Sequence, residues 1–203
     1  MSLDTKAEYR AQIADRRENL RRRLQKIVPG PSGFVWEVGS GHGHFLVAFA
    51  AAHPGEVCIG IDIASDRVRR SERKRERARL ANLHFFLADS GDFLAAMPEH
   101  AVFSAVYLLF PDPWPKRRHH KNRVMNPEFL ATISARTKKG AVLCFRTDHE
   151  PYFRDVLAMV RAHRGWAEAA GGTLPFEEAT VFQKRAERHF TLVATRLSDK
   201  KSA

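Results

Sequence analysis

From residue 34 onward the chain alternates short apolar runs with longer helix-like segments. That alternation restricts the fold more than any other feature of the sequence. Strand-like runs fall at Phe34–Val38, Val57–Ile63, Leu83–Ala88, Val102–Phe110 and Ala141–Thr147. Helix-like segments fall at Gly43–His53, Ser65–Leu80, Pro127–Thr137 and Glu150–His163. Parallel neighbours in a sheet need a crossover of a dozen or more residues, usually a helix. The pattern therefore predicts an α/β fold, a doubly wound and mostly parallel sheet with helices on both faces. His189–Leu197 is a last strand with no helix after it and is expected to lie antiparallel. Residues 167–187 match neither period. Ahead of the alternation, residues 4–27 carry Ile13, Leu20, Leu24 and Ile27 at helical spacing, ended by Pro29-Gly30-Pro31. This divides the chain into a basic helical extension over 1–30 and one α/β domain over 31–203.

At 203 residues the chain suits a single domain with a sizeable core. An apolar content of 44% argues against general disorder. Cys58 and Cys144 both lie in apolar strand-like runs. They read as reduced core residues of a cytoplasmic protein, not as a disulfide framework. The first thirty residues hold no apolar h-region, so no signal peptide is expected. The longest nearly apolar run, 101–110, is too short to span a membrane. The charge balance, 34 basic against 23 acidic residues, points to nucleic acid or another anionic partner. The simpler reading is a soluble basic surface. Clustering argues against it, because 19 of the 34 basic residues fall within 16–26, 67–79 and 116–123.

A cofactor site is expected at the first three strand ends. Glu37-Val38-Gly39-Ser40-Gly41-His42-Gly43 opens the first helix of the alternation directly after its first strand. Glycines there let the backbone turn tightly and approach a ligand. Gly60-Ile61-Asp62 ends the second strand, where a carboxylate can accept the hydroxyls of an adenosine ribose. Asp89 follows the third strand and is placed to face the adenine. Dinucleotide folds use G-x-G-x-x-G with a pyrophosphate on the helix N-terminus. Here the order is E-x-G-x-G-x-G. Glu37 would repel a pyrophosphate and attract a cationic amino-acid tail, which favours S-adenosylmethionine, a sulfonium carrying an ammonium and no phosphate. A Gly-rich turn alone would be only a tight βα turn, and Asp89 alone could be a helix N-cap.

The fourth strand runs into Asp112-Pro113-Trp114-Pro115-Lys116-Arg117-Arg118-His119-His120-Lys121-Asn122-Arg123. A lone carboxylate and a rigid Pro-Trp-Pro thus sit where open α/β sheets bind ligands. Lys116, Arg117, Arg118, Lys121 and Arg123 form a phosphate-binding patch beside them. Trp114 could stack on a base or plug the sheet edge. His119 and His120 are adjacent and do not make a metal pair, so no metal is expected. The segment Arg67–Arg79 carries eight basic and two acidic residues. It reads equally as a solvated helix face, aided by pairs such as Asp66–Arg70, or as a second anionic contact. Thr147-Asp148-His149-Glu150-Pro151-Tyr152 marks where the fifth strand meets a helix, with Asp148 a natural N-cap. Thr180 to Arg185 reads as a basic loop.

From Val35 to Leu197 the chain resembles the bacterial tRNA (guanine-N7-)-methyltransferase family. The resemblance rests on E-V-G-S-G-H-G, G-I-D, F-P-D-P-W-P-K-R-R-H-H-K-N-R, T-D-H-E-P-Y and T-V-F-Q-K-R, of which D-P-W-P-K-R-R-H is the most specific. It implies a seven-stranded, Rossmann-like class I methyltransferase domain over 31–203. It also implies methyl transfer from S-adenosylmethionine to N7 of a guanine in the tRNA variable loop, conventionally position 46. By position, Glu37, Gly39, Gly41, Asp62 and Asp89 resemble cofactor ligands and Asp112 the catalytic carboxylate. Lys116, Asp148, Thr180 and Gln183 resemble substrate contacts. The chain departs from the family where Asp62 replaces a Glu. It departs again where Val181, Gln183 and Ala186 replace Lys, Glu and Gly of T-K-F-E-x-R-G.

Guanine N7 is a lone pair with no proton to lose, so its methylation needs alignment and recognition rather than a general base. Guanine N1 and N2 are donors, for which Asp112 and Asp148 are natural acceptors. Two other readings stay open. One is methylation of an exocyclic base amine, since Asp112-Pro113-Trp114 resembles the Asp/Asn-Pro-Pro-aromatic motif of such enzymes. The other is a non-catalytic RNA-binding protein on the same fold. Expected partners are tRNA but no membrane, in a monomer or homodimer.

Overall fold

The computed structural model describes residues 3–178 and 188–198. Seven strands form one mixed sheet: β1 (Gly33–Val38), β2 (Cys58–Asp62), β3 (Leu83–Leu87), β4 (Val102–Leu109), β5 (Thr137–Thr147), β6 (Trp166–Glu168) and β7 (Phe190–Arg196). Their order is β3-β2-β1-β4-β5-β7-β6. The five strands expected to be parallel are parallel, and β7 runs antiparallel to β5, with Phe145 opposite Leu192. Chain order reverses between β1 and β4. That is the topological switch point at which open α/β sheets take their ligands.

Helices cover both faces: α1 (Leu3–Ile27), α2 (His44–Ala52), α3 (Ser65–Arg77), α4 (Ser90–Ala96), α5 (Pro127–Ala135) and α6 (Glu150–Ala162). One core joins α1, α4, α5 and α6 to the sheet. There Trp36 of β1 lies stacked between Phe93 and Phe103, with ring centroids 4.8 and 4.9 Å away. The second core lies on the other face, where Phe45, Leu46 and Phe49 of α2 pack over Val35, Cys58 and Tyr107. In α1, Leu20 and Leu24 are buried in the first core together with Val28 just beyond the helix, so the helical spacing there reports real burial. Arg17 holds Asp92 at 2.6 Å and Arg21 donates to the Ala95 carbonyl at 2.9 Å, fixing α1 to α4.

Three elements go beyond the sequence expectation. Helix α4 is a single short stretch over S-G-D-F-L-A-A, whose glycine and length hide it from a periodicity reading. Strand β6 spans three residues at the start of the segment that matched no period, and it closes the sheet edge against β7. Strand β5 begins at Thr137, four residues earlier than the apolar run suggests, because Lys138, Lys139 and Gly140 are exposed there. Both cysteines are buried and unbridged.

Candidate active site

The glycine turn after β1 forms because three of its residues adopt left-handed backbone. Gly39, Gly41 and Gly43 have φ of 72°, 55° and 70°. Gly43 is constrained twice, since a Cβ there would come within 2.8 Å of Phe85 and Ser71. Over Gly39 and Gly41, by contrast, a Cβ would meet nothing within 4 Å, which leaves room for a ligand against the backbone. Asp62 sets the turn. Its Oδ2 accepts the Gly41 N–H at 2.9 Å and its Oδ1 accepts the Ala64 N–H at 2.8 Å. A carboxylate offers about four lone-pair positions, so capacity remains for a further donor.

Beneath the turn, Glu37 is buried and its Oε2 has no hydrogen-bond partner among the described residues. Burial, with the charge of Asp62 adding to it, pushes its carboxyl up to about 8. An unpartnered buried carboxyl beside an open glycine turn is a receptor for a cation. The ammonium of a methionine tail fits it, and a pyrophosphate does not.

Next to these residues lies an open cavity of about 700 Å³ at the ends of β2 and β3. Ile63 and Leu87, 75% and 58% exposed, present bare apolar surface to it, with Ala88 and Asp89 alongside. Leu20 and Arg23 of α1 contribute a further wall. Two apolar side chains at adjacent strand ends suit a flat heteroaromatic ring. Sequence reading passed over Ile63 and Leu87; for Ile63 the available signal was an apolar residue directly after the strand-end Asp62, and Leu87, the last residue of β3, carried none. Asp89 serves as the N-cap of α4, its Oδ1 accepting the Asp92 N–H at 2.8 Å. The helix cap and the cavity wall are the same residue.

At the end of β4 the chain enters an unusual path. Phe110 and Trp114, neither of them glycine, adopt left-handed φ of 54° and 43°. Such conformations cost of order 1 kcal/mol or more each and persist only where surrounding structure dictates them. Between the two, Asp112 is exposed, with no hydrogen bond or ion pair among the described residues. Trp114 sets its ring edge-on to His119, 5.9 Å between centroids. Residues Arg117–Asn122 form a 3-10 turn; Arg117, Arg118 and Lys121 in it and Lys116 just before it are exposed.

Arg123 departs from the expectation of a phosphate contact. It is 5% exposed and turned inward. Its Nε donates to the Pro113 carbonyl at 2.8 Å and its Nη1 pairs with Asp155 at 2.8 Å. Its guanidinium also lies over the Tyr152 ring, 4.4 Å from the centroid. Tyr152 in turn accepts the Met125 N–H at 3.1 Å. The last arginine of the basic run thus locks that run to α6.

Asp148 follows β5, the neighbour of β4, where Leu109 pairs with Arg146. It is not the N-cap of α6. His149 takes that place, its Nδ1 accepting the Tyr152 N–H at 3.1 Å. Asp148 is left exposed, without a partner among the described residues. Asp112 and Asp148 therefore stand at adjacent strand ends as two uncommitted carboxylates. Thr180 and Gln183 lie outside the described residues.

A family model described as "Putative methyltransferase" matches residues 32–190. A tRNA (guanine-N(7)-)-methyltransferase of Saccharophagus degradans is 32% identical over 158 residues, covering 75% of this chain and 69% of that protein. The chain belongs to the tRNA (guanine-N7-)-methyltransferase family. A second relative of that name, from Leptospira interrogans, is 34% identical over 134 residues, with 66% of this chain matched to 62% of its own length. Among solved structures, an rRNA methylase from Streptococcus thermophilus superposes with a TM-score of 0.58 at 14% identity, covering 90% of this chain and 94% of that one. That likeness is one of fold, over nearly the whole of this chain's seven-stranded domain. In this member of the family the segments 110–123 and 147–152 are joined through Arg123 and Tyr152.

Proposed function

We propose that this chain transfers the methyl group of S-adenosylmethionine to N7 of a guanine in the variable loop of tRNA, at position 46. The observation that carries the reading is the pair of uncommitted carboxylates, Asp112 and Asp148, at the strand ends beside the glycine turn and next to an exposed basic run. When bound, S-adenosylmethionine supplies an electrophilic methyl group on a sulfonium. Glu37 receives its ammonium, Asp62 its ribose, and the Ile63–Leu87 cavity its adenine, with Asp89 at the edge. The backbone of Gly39 and Gly41 leaves the room it needs.

The remaining residues handle the RNA. Guanine N7 keeps its lone pair at neutral pH, so no residue has to remove a proton before transfer. Asp112 accepts from the guanine N1 and N2 donors, and Asp148 offers a second acceptor. That contact selects guanine and fixes which edge of the base faces the methyl donor, which is catalysis by orientation. It also stabilises the positive charge that forms on the methylated ring. Lys116, Arg117, Arg118 and Lys121 hold backbone phosphates, which position the RNA without reading its sequence. Thr180 and Gln183 complete the substrate contacts by family resemblance. In this reading α1 is a basic extension of the catalytic domain over 1–30, and the enzyme works in the cytoplasm, where tRNA is matured.

Incubation with labelled S-adenosylmethionine and bulk tRNA, followed by nucleoside mapping, tests the proposal. N7-methylguanosine from the variable loop is the expected product. A methyl group on an exocyclic amine would replace this reading with the rival enzyme. Tight cofactor binding without any transfer would leave an RNA-binding protein.

A further inference from the structure

We propose that Arg70, Arg73 and Arg77 of α3 form a second contact surface for the RNA backbone, on the opposite flank of the glycine turn from the Lys116–Lys121 run. The inference rests on the tRNA reading above and extends it to a surface that reading does not use. The three arginines recur at i, i+3 and i+7, which places them on one helix face. All three are exposed. None forms an ion pair among the described residues; the one polar contact is within the helix, Arg77 Nε to the Arg73 carbonyl at 3.4 Å.

The acidic residues that could neutralise this face are engaged elsewhere or stand apart. Glu72 turns inward, accepting the Phe85 N–H of β3 at 3.0 Å and Arg75 Nε at 2.8 Å. Glu76 lies 3.9 Å from the same Arg75. The Asp66–Arg70 pair that the spacing allows is not formed. Like charges three and four residues apart oppose helix formation by about 0.2–0.5 kcal/mol per pair. A solvated face lowers that cost by pairing opposite charges, and here neither Asp66 nor Glu76 pairs with any of the three arginines among the described residues.

The helix is also fixed to the site. Ser71 Oγ donates to the Gly41 carbonyl at 3.1 Å and Lys74 Nζ to the His42 carbonyl at 2.7 Å. The arginine strip therefore stands at a set place relative to the cofactor turn. Its field reaches the lip of the site, where His42 is held below its ordinary value by burial and then by Arg70, Lys74 and Arg67. A positive strip joined to the glycine turn, with a second positive run following β4 on the other side of β1, matches the backbone of a nucleic acid that crosses the sheet edge.

The test compares the full chain with the triple variant R70Q/R73Q/R77Q by fluorescence anisotropy of bulk tRNA over a salt series. Each lost phosphate contact removes about 0.9 from the log–log slope at the charge density of duplex DNA, or about 0.7 for a single strand. A fall of roughly two to three units is expected for three contacts. S-adenosylhomocysteine affinity should stay at the wild-type value, since none of the three touches the cofactor residues, and the melting temperature should hold or rise slightly, since Gln is a good helix former and two like-charge pairs are removed. A wild-type slope in the triple variant, with R117Q/R118Q reducing it, overturns this inference and leaves the tRNA reading standing. Loss of binding to anionic lipid vesicles with an unchanged tRNA slope would assign the strip to a membrane and overturn it as well. A wild-type chain with no salt-dependent tRNA binding would fail the functional reading itself, and this surface with it.

Discussion

Arg123 reaches back ten residues to hold the carbonyl of Pro113 at 2.8 Å, and so fixes the loop that presents Asp112. The same guanidinium pairs with Asp155 and covers the Tyr152 ring. Substituting Arg123 by Ala should therefore act through position, not through RNA affinity. Hydrogen bonds from a charged group contribute about 1.5–3 kcal/mol, so a loss of about that size is expected. In a domain of this length it lowers the melting temperature by roughly 2–4 °C per kcal/mol. Turnover should fall while the salt slope of tRNA binding stays unchanged. A slope reduced by about one unit with an unchanged melting temperature would return Arg123 to the phosphate contacts.

Arg123 also shows where the sequence stops being legible. Within K-R-R-H-H-K-N-R nothing distinguishes the one arginine that turns inward from those that stay in solvent. The distinction is made by Asp155 and Tyr152, some thirty residues away. The alternation of periods, by contrast, is written into local sequence, and the parallel order of β1 to β5 follows from it. The glycine turn was legible because a left-handed backbone restricts residue type. The left-handed path at Phe110 and Trp114 was not, because neither residue favours it. Ile63 and Leu87 escaped notice for another reason: exposed apolar side chains look like strand residues until the sheet edge shows them bare. The capping of α6 fell one residue later than the sequence suggested because His149, through Nδ1, can do what an aspartate does.

Glu37 gives the site a dependence on pH. Burial holds its carboxyl at about 8, against 4.5 in an unfolded chain. Below 4.5 both states keep the proton. As pH rises towards 8 the unfolded chain releases it and the folded one does not, so the empty wild-type protein loses stability across that window. Glu37→Gln removes the titration. The variant should melt higher than wild type by a margin that grows from pH 5 to pH 8. Its affinity for S-adenosylhomocysteine should nevertheless be lower, because the ammonium loses its counter-charge. In the wild type, calorimetry in buffers of different ionisation enthalpy should detect proton release on ligand binding near pH 7. Equal melting curves at pH 5 and pH 8 for both proteins, with no linked proton, would show Glu37 to be ionised already.

Arg146 and Glu177 offer a second, opposite pH signature. Arg146 is buried at the end of β5 and makes two hydrogen bonds to Glu177, at 2.9 and 2.6 Å, and one to Thr191 Oγ1 at 2.8 Å. Hydrogen bonding to Arg146 holds the Glu177 carboxyl below its ordinary value. Its contribution is therefore present above the unfolded carboxylate value and disappears as pH falls through the folded one. Glu177 is nearly half exposed, so the contribution is modest, about 1 kcal/mol. Glu177→Gln should lower the melting temperature at pH 7 and make little difference in acid, below the folded value. A deficit that persisted unchanged at low pH would mean that the side chain matters by packing and not by charge.

The most direct prediction concerns Asp112, which stands between two strained residues and makes no bond of its own among the described residues. An exposed carboxylate with no structural partner contributes little to folding, so Asp112→Asn should melt with the wild type. It should also bind S-adenosylhomocysteine normally, because Glu37, Asp62 and the glycine turn are untouched. What it loses is a charged acceptor for guanine. That interaction is about 1.5–3 kcal/mol, or roughly a ten- to hundredfold fall in kcat/KM for tRNA. The asparagine also turns a donor towards donors, which sets the loss near the upper end of that range. The fall should appear mainly in kcat if Asp112 stabilises the charge on the methylated ring, and mainly in KM if it only holds the base. Turnover equal to wild type would remove Asp112 from the chemistry. Asp148, at the next strand end, would then be the remaining carboxylate able to read the guanine edge.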